Sequence, residues 1–303
     1  MASQGVASML ALALLLGAFA SIPESVKSIG VCYGMSANNL LAAITVVGMF
    51  KSNGIKSMRL YAPNQAACRP STPNHVLSNL AASLAAAATW VRINIQVYPK
   101  VSFRCVCVGN EVAGGTTRNL VPAMKNMHGA LASAGLGHIK VTTSVSQAIL
   151  GLYSPPSAGS FTAEAAAFMG PVVQFLARTR APLMANIYPL PGLGLQPDAS
   201  GTVVQDGGFG YQNLFDTTVD AFYTAMAKHS GSNVKLVVSE SGWSSGGGTA
   251  HLINHVGRGT PCHQGAIETY IFAMFNENQK ASGVEQHSGL FYPNMQHVYP
   301  ISF

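Results

Sequence analysis

The sequence predicts an α/β fold, a (β/α)8 or TIM barrel, from three observations. Short apolar, β-rich runs alternate with longer helix-like stretches, the mark of βα units feeding a parallel sheet. Seven such units fit within 303 residues, a length that suits one large domain. The rival is an open doubly wound sheet, which brings a glycine-rich phosphate loop after its first strand. Tyr33-Gly34-Met35-Ser36 does not supply GxGxxG at that point.

In chain order, residues 1–28 are expected to be a signal peptide rather than part of the fold. Residues 8–20 read SMLALALLLGAFA, too short for a comfortable membrane span, and Ala18-Phe19-Ala20 fits a small-x-small cleavage pattern. The preceding MASQGVA carries no Lys or Arg, and a buried N-terminal helix is the alternative. Residues 29–303 then form the barrel domain. Its expected strands are Ile29–Tyr33, Ile55–Tyr61, Phe103–Val108, Ile139–Val145, Pro182–Tyr188, Val234–Ser239 and Gly289–Tyr292. Its expected helices are Asn39–Ser52, Asn74–Ile95, Thr117–Ala134, Ala163–Thr179, Asn213–Lys228 and Gln264–Asn278. Thr116 and Thr117 stand where a helix N-cap would, and Gly54 and Gly135 where helices would stop. Between Tyr61 and Phe103 only one helical stretch is legible, and Cys68–Asn74 reads as loop. The third strand of a regular barrel is therefore expected to be missing.

Composition narrows the function. The chain is 48% hydrophobic and 9% charged, with mean hydropathy +0.26, which excludes a disordered protein. Net charge is +6, but Lys and Arg are scattered, so no nucleic acid partner is expected; a basic balance also suits anionic wall polymers. Five cysteines do not make a disulfide scaffold. Cys105 and Cys107 alternate along one apolar run, share a face, and are expected as core thiols. There is no CxxC, no HExxH and no paired His/Cys spacing, so no metal and no cofactor are expected. A GxSxG elbow is also absent, which leaves a serine hydrolase without an anchor.

Only eleven residues are Asp or Glu, so an acid at the end of an apolar run stands out. Glu111 ends FRCVCVGNE and Glu240 ends VKLVVSE. Barrel active sites form at the C-terminal ends of the strands. Glycosidic bonds are cleaved by two carboxyl groups, one donating a proton to the leaving oxygen and one supplying a nucleophile or activating water. A glutamate that caps a helix or binds a backbone amide is the plainer reading of each residue alone.

The segments IGVCYG (29–34), MRLY (58–61), VGNEV (108–112), ANIYP (185–189), VVSESGW (237–243), ETYIFAMFNENQK (268–280) and VYPISF (298–303) together resemble plant glycoside hydrolase family 17, the endo-1,3-β-glucanases. The resemblance spans nearly all of the chain after residue 28. It implies a (β/α)8 barrel that hydrolyses internal linkages of 1,3-β-glucan with retention of configuration. It further implies Glu240 as nucleophile, Glu111 as general acid/base, and Asn110 as the residue that binds the sugar 2-hydroxyl. Tyr61, Asn186, Tyr188 and Trp243 fall in motifs that line the family's groove. Glu277 and Lys280 match positions near the cleft, and Glu285 matches a further acid before GLF. Individually, Tyr61 and Tyr188 also fit half-buried core residues, Asn186 a partner of backbone groups, Lys280 a helix C-terminus, and Glu277 a solvated helix face.

The chain departs from the family pattern in three places. APNQAACRPSTPN replaces a strand, PLPGLGLQPD replaces an aromatic-rich loop, and GWSSGGGTA runs straight into HLINHV. In addition, His287-Ser288 stands where the family has an aromatic before GLF. The expectation is a secreted monomer acting on glucan in the extracellular space or wall, with no membrane anchor, in defence or in callose turnover. The alternative is a non-catalytic glucan-binding protein built on a truncated barrel.

Overall fold

The computed structural model describes residues 29–61, 73–188, 201–242, 252, 255–300 and 303. The expected signal peptide, Cys68 and Trp243 lie outside the described residues.

Seven parallel strands form the main sheet: β1 Ile29–Tyr33, β2 Met58–Leu60, β3 Cys105–Asn110, β4 Lys140–Ser146, β5 Leu183–Asn186, β6 Leu236–Ser241 and β7 Thr269–Ile271. In space they run β2, β1, β7, β6, β5, β4, β3. Except for β2 and β3, each strand therefore lies beside its neighbour in the chain, and the first pairs with the last, Val31 opposite Ile271. That order is a sheet curled into a barrel, as expected. The curl leaves a seam between β2 and β3, where no described strand joins them. Residues 73–104 contain helices and no strand, in keeping with the expected loss of the third strand.

Among the described residues, six α-helices cover the outside: α1 Ala43–Ser52, α2 Pro73–Ala82, α3 Leu84–Val91, α4 Leu120–Ser133, α5 Ala163–Thr179 and α6 Leu214–Ala227. Side chains of one strand face pack beneath them, Val31, Val106 and Val238 among Phe50, Met124 and Phe222. Alternate residues turn inward, and Cys32, Met184, Val237 and Tyr270 fill the barrel interior. Among the described residues, no helix is long and apolar enough to cross a membrane.

The helix ends follow local chemistry. Ser83 accepts from the backbone N–H of Ala85 at 3.1 Å and so caps α3, dividing the single helix expected over residues 74–95. Asn213 caps α6 through Asp216 N–H at 2.8 Å, and Thr162 caps α5 through Ala165 N–H at 3.1 Å. Gly54 and Gly135 follow α1 and α4 with φ of +71° and +73°, as their expected stop positions require. Thr116 and Thr117 lie inside a 3-10 turn, Gly114–Asn119, and α4 starts only at Leu120.

Two expectations are corrected. The seventh strand is Thr269–Ile271, within the stretch expected to be helical, and not Gly289–Tyr292. Thr-Tyr-Ile is β-branched and aromatic, and all three residues are buried between β1 and β6, so sheet pairing overrides the helical pattern. Phe291 instead makes isolated bridges to Phe275 and His297. The cysteines of β3 do share a face, but Cys107 is exposed and Cys105 only half buried. As the edge strand at the seam, β3 lacks a neighbour on one side to cover them.

Candidate active site

β3 ends in a bend that aims Glu111. Gly109 and Glu111 both take positive φ, +85° and +52°, and the pairing with β4 slips between Cys107 and Asn110. Glu111 N–H then donates to Ser144 O at 2.8 Å, anchoring the turn on β4. A side chain at Gly109 would collide with Val112, which explains the glycine. On the far side of the barrel, β6 carries Glu240 opposite Asn186 of β5, again beside a slip in register.

The two glutamates are held differently. Glu240 is buried, and both of its oxygens accept hydrogen bonds. Arg59 Nη1 donates to Oε1 at 3.0 Å, and Tyr188 OH donates to Oε2 at 2.8 Å. Burial, then the Glu240 carboxylate, pushes the Tyr188 phenol well above the ordinary tyrosine range, so it remains a donor. Glu111 is exposed, and its Oε1 accepts from Asn186 Nδ2 at 3.1 Å.

Arg59 ties these groups together. Besides Glu240 it donates to Ser239 O at 2.6 Å and Asn186 Oδ1 at 3.2 Å through Nη1, and to Asn110 Oδ1 at 2.8 Å through Nη2. The last bond crosses the seam from β2 to β3. Burial works against the Arg59 cation, yet Tyr61, the thiols and Glu240 around it raise its proton affinity above that of an ordinary arginine. The guanidinium also lies 4.8 Å from the ring centre of Tyr61, which is 39% exposed and meets Phe272 edge-on. Asn186 is buried, and its Oδ1 also accepts from Ser144 Oγ and Ser239 Oγ.

Glu277 and Lys280 form an adjoining group. Glu277 is 2% exposed; its Oε1 accepts from Ser36 N–H at 2.7 Å and its Oε2 lies 3.4 Å from Lys280 Nζ. Lys280 Nζ stands 3.9 Å over the Phe272 ring. Neither residue lies on a helix, so the solvated-helix and helix-terminus readings do not hold. Glu285 is exposed on the 3-10 turn Val284–His287 and takes no part in the network. The structure thus brings Tyr61, Asn110, Glu111, Asn186, Tyr188 and Glu240 together.

Sequence reasoning did not single out Arg59, Ser144 or Ser239. Their signals are a cation inside the β-rich run MRLY of a charge-poor chain, and hydroxyls inside SVS and VVSES. Among the described residues, no group of three or more His, Cys, Asp or Glu is placed to hold a metal ion.

The sequence profile of Glycosyl hydrolases family 17 matches residues 29–303. Lichenase-2 of Hordeum vulgare is 75% identical over 312 residues, covering 93% of this chain and all of that protein. The acidic isoform of glucan endo-1,3-beta-glucosidase from Zea mays is 48% identical over 338 residues, with both chains fully covered. A solved structure, from work on two plant beta-glucan endohydrolases with distinct substrate specificities, superposes with a TM-score of 0.84 at 75% identity. It covers 90% of this chain and all of that one. With paired glutamates at the strand ends of a curled parallel sheet, and a profile match running from β1 to the last residue, the chain belongs to glycosyl hydrolases family 17.

Proposed function

We propose that the chain hydrolyses internal 1,3-β-D-glucosidic linkages of 1,3-β-glucans by a retaining mechanism with two glutamates. One observation carries this reading. Glu111 and Glu240 belong to one hydrogen-bonded network, yet one carboxylate is buried with donors on both oxygens and the other is exposed. Glu240 attacks the anomeric carbon while Glu111 protonates the departing oxygen. Glu111 then deprotonates the water that releases the glycosyl-enzyme. Asn110 Oδ1 already accepts from Arg59 and Asn186, so its amide nitrogen is the end that would meet the sugar 2-hydroxyl. Tyr61 offers an aromatic face to the sugar rings, the role also proposed for Trp243 of the SESGW motif. Lys280 carries the outer polar contact, with Glu277 holding it in place and Glu285 further out.

A second reading, cleavage of mixed 1,3;1,4-linked glucan, is favoured by the 75% identity to a protein named lichenase, against 48% for the maize 1,3-glucosidase. Reducing-end release from laminarin and from lichenan, with proton NMR of the first anomer formed, separates the readings. Faster release from laminarin with retained β-configuration supports the first. Release confined to lichenan supports the second. Binding of both glucans by the folded protein without any release would establish the glucan-binding alternative.

We also propose that residues 1–28 are a cleaved signal and that the enzyme acts as a monomer in the extracellular space or wall, on glucan and not nucleic acid. Terminal sequencing of secreted protein should give a start between Ser21 and Ile29. An intracellular product that retains Met1 contradicts secretion.

A further inference from the structure

The polar contacts around Asn186 fix more than its position. Arg59 Nη1, which can only donate, lies 3.2 Å from Asn186 Oδ1. Arg59 Nη2 also donates to Asn110 Oδ1, so that oxygen, 3.3 Å from Asn186 Nδ2, must be an acceptor. Flipping the Asn186 amide would set its nitrogen against a cation and its oxygen against both Asn110 Oδ1 and the Glu111 carboxylate. Arg59 and Asn110 therefore favour the observed orientation. It delivers the Asn186 NH2 group to Glu111 Oε1 at 3.1 Å.

Two serines complete this arrangement. Ser144 Oγ of β4 lies 2.9 Å from Asn186 Oδ1, Ser239 Oγ of β6 lies 2.8 Å from it, and the two hydroxyls are 2.8 Å apart. Two hydroxyl protons serve these three contacts, so Oδ1 receives at least one of them. Both residues are fully buried, so these protons are directed inward.

We propose that Ser144 and Ser239 are positioning residues that lock the Asn186 amide, and that this lock assigns the catalytic proton to Oε2 of Glu111. The inference rests on the reading of Glu111 as general acid. A carboxyl oxygen that accepts an amide N–H cannot at the same time donate along that line. A protonated Glu111 therefore carries its hydrogen on Oε2, and the leaving glucosyl oxygen must approach that atom. Loosening the lock lets the proton occupy either oxygen. The serine substitutions leave Arg59, Asn110 and Tyr188 in place.

The test combines S144A, S239A and the double variant with S144T and S239T, which restore a hydroxyl. In full-length protein with nitrogen-15-labelled asparagine, hydrogen exchange of the Asn186 side-chain amide is followed. The amide should be protected in the parent and exchange faster in the double variant, each single variant should change less, and the threonine variants should return toward the parent. The kcat on polysaccharide should fall tenfold or more in the double variant, while an aryl glucoside with an activated leaving group loses less. Unchanged exchange of that amide in a folded double variant would overturn the proposal, as would an equal loss on both substrates. If the double variant does not fold, the single variants decide: no faster exchange in either overturns it. A parent whose amide is protected as described but which hydrolyses nothing would contradict the enzymatic reading and leave the amide lock standing.

Discussion

At the scale of single residues, the account turns on two carboxyl groups with separable tasks. Glu240→Gln should abolish turnover of every glucan, because no nucleophile remains whatever the leaving group. Glu111→Gln should stop polysaccharide hydrolysis yet spare much of the rate on an activated aryl substrate, and azide should partly rescue Glu111→Ala on that substrate. Steady-state rates on laminarin and the aryl substrate check both. If each variant stays within about tenfold of the parent, a change of only ~1.4 kcal/mol in the barrier, the assignment is wrong. Arg59 adds a second prediction. Arg59→Ala leaves a buried carboxylate without its cation, which costs about 3–5 kcal/mol of stability in comparable pairs. Arg59→Lys keeps the charge but cannot reach Glu240 and Asn110 with two separate nitrogens, so it should still lose most of kcat/KM. Urea unfolding and kcat/KM of the two variants measure these effects. The glutamates were legible in the sequence because acids are scarce and each closes a β-rich run. Arg59 was not, because a strand pattern says which face a side chain takes and not what lies opposite it across a barrel.

At the scale of elements, close approach explains single small residues better than pattern does. Gly34 follows β1, and a Cβ there would press into the Glu277 carboxylate, which anchors Ser36. Gly34→Ala should cost about 1–3 kcal/mol as that loop is displaced. Gly48 is exposed on α1, with nothing near its virtual Cβ, so Gly48→Ala should stabilise by about 0.5–1 kcal/mol. Opposite shifts in urea midpoint would confirm the pair; equal shifts would show that the loop contact contributes nothing. Most helices were legible from periodicity and glycine stops. The break at Ser83 was not, because one good N-cap inside an alanine-rich run outweighs propensity. The strand Thr269–Ile271 was also missed. Three residues are too few to show a period, and its identity comes from the β1 and β6 edges it joins.

At the scale of the whole molecule, the seam between β2 and β3 leaves the chemistry of the barrel wall unevenly covered. Cys107 on edge strand β3 is exposed, whereas Cys32 is buried inside the barrel and donates to Ser239 O. Alkylation of folded protein should label Cys107 and spare Cys32 until unfolding; mass spectrometry of the labelled peptides reads this directly. Burial first of all pushes the Cys32 thiol from 9.0 to about 12, and that of Cys105 to about 11. Above pH 9.0 the unfolded chain releases these protons while the folded chain keeps them, so this contribution to stability is lost as pH rises toward 12. Cys32→Ala should flatten the fall in urea midpoint across that window. The sequence disclosed the barrel, a matter of counting units, and among the described residues no strand lies between β2 and β3. It did not disclose that Arg59 of β2 reaches Asn110 of β3 and so bridges the seam at the active end. The central claim is that this seven-stranded sheet still presents Glu240 as a covalent nucleophile. Incubation with a 2-deoxy-2-fluoro β-glucoside bearing an activated leaving group, followed by peptide mass spectrometry, tests it most directly. The account predicts a glycosyl adduct on Glu240 and none on Glu111, whereas an adduct elsewhere, or turnover of glucan with inversion and no adduct, would contradict it.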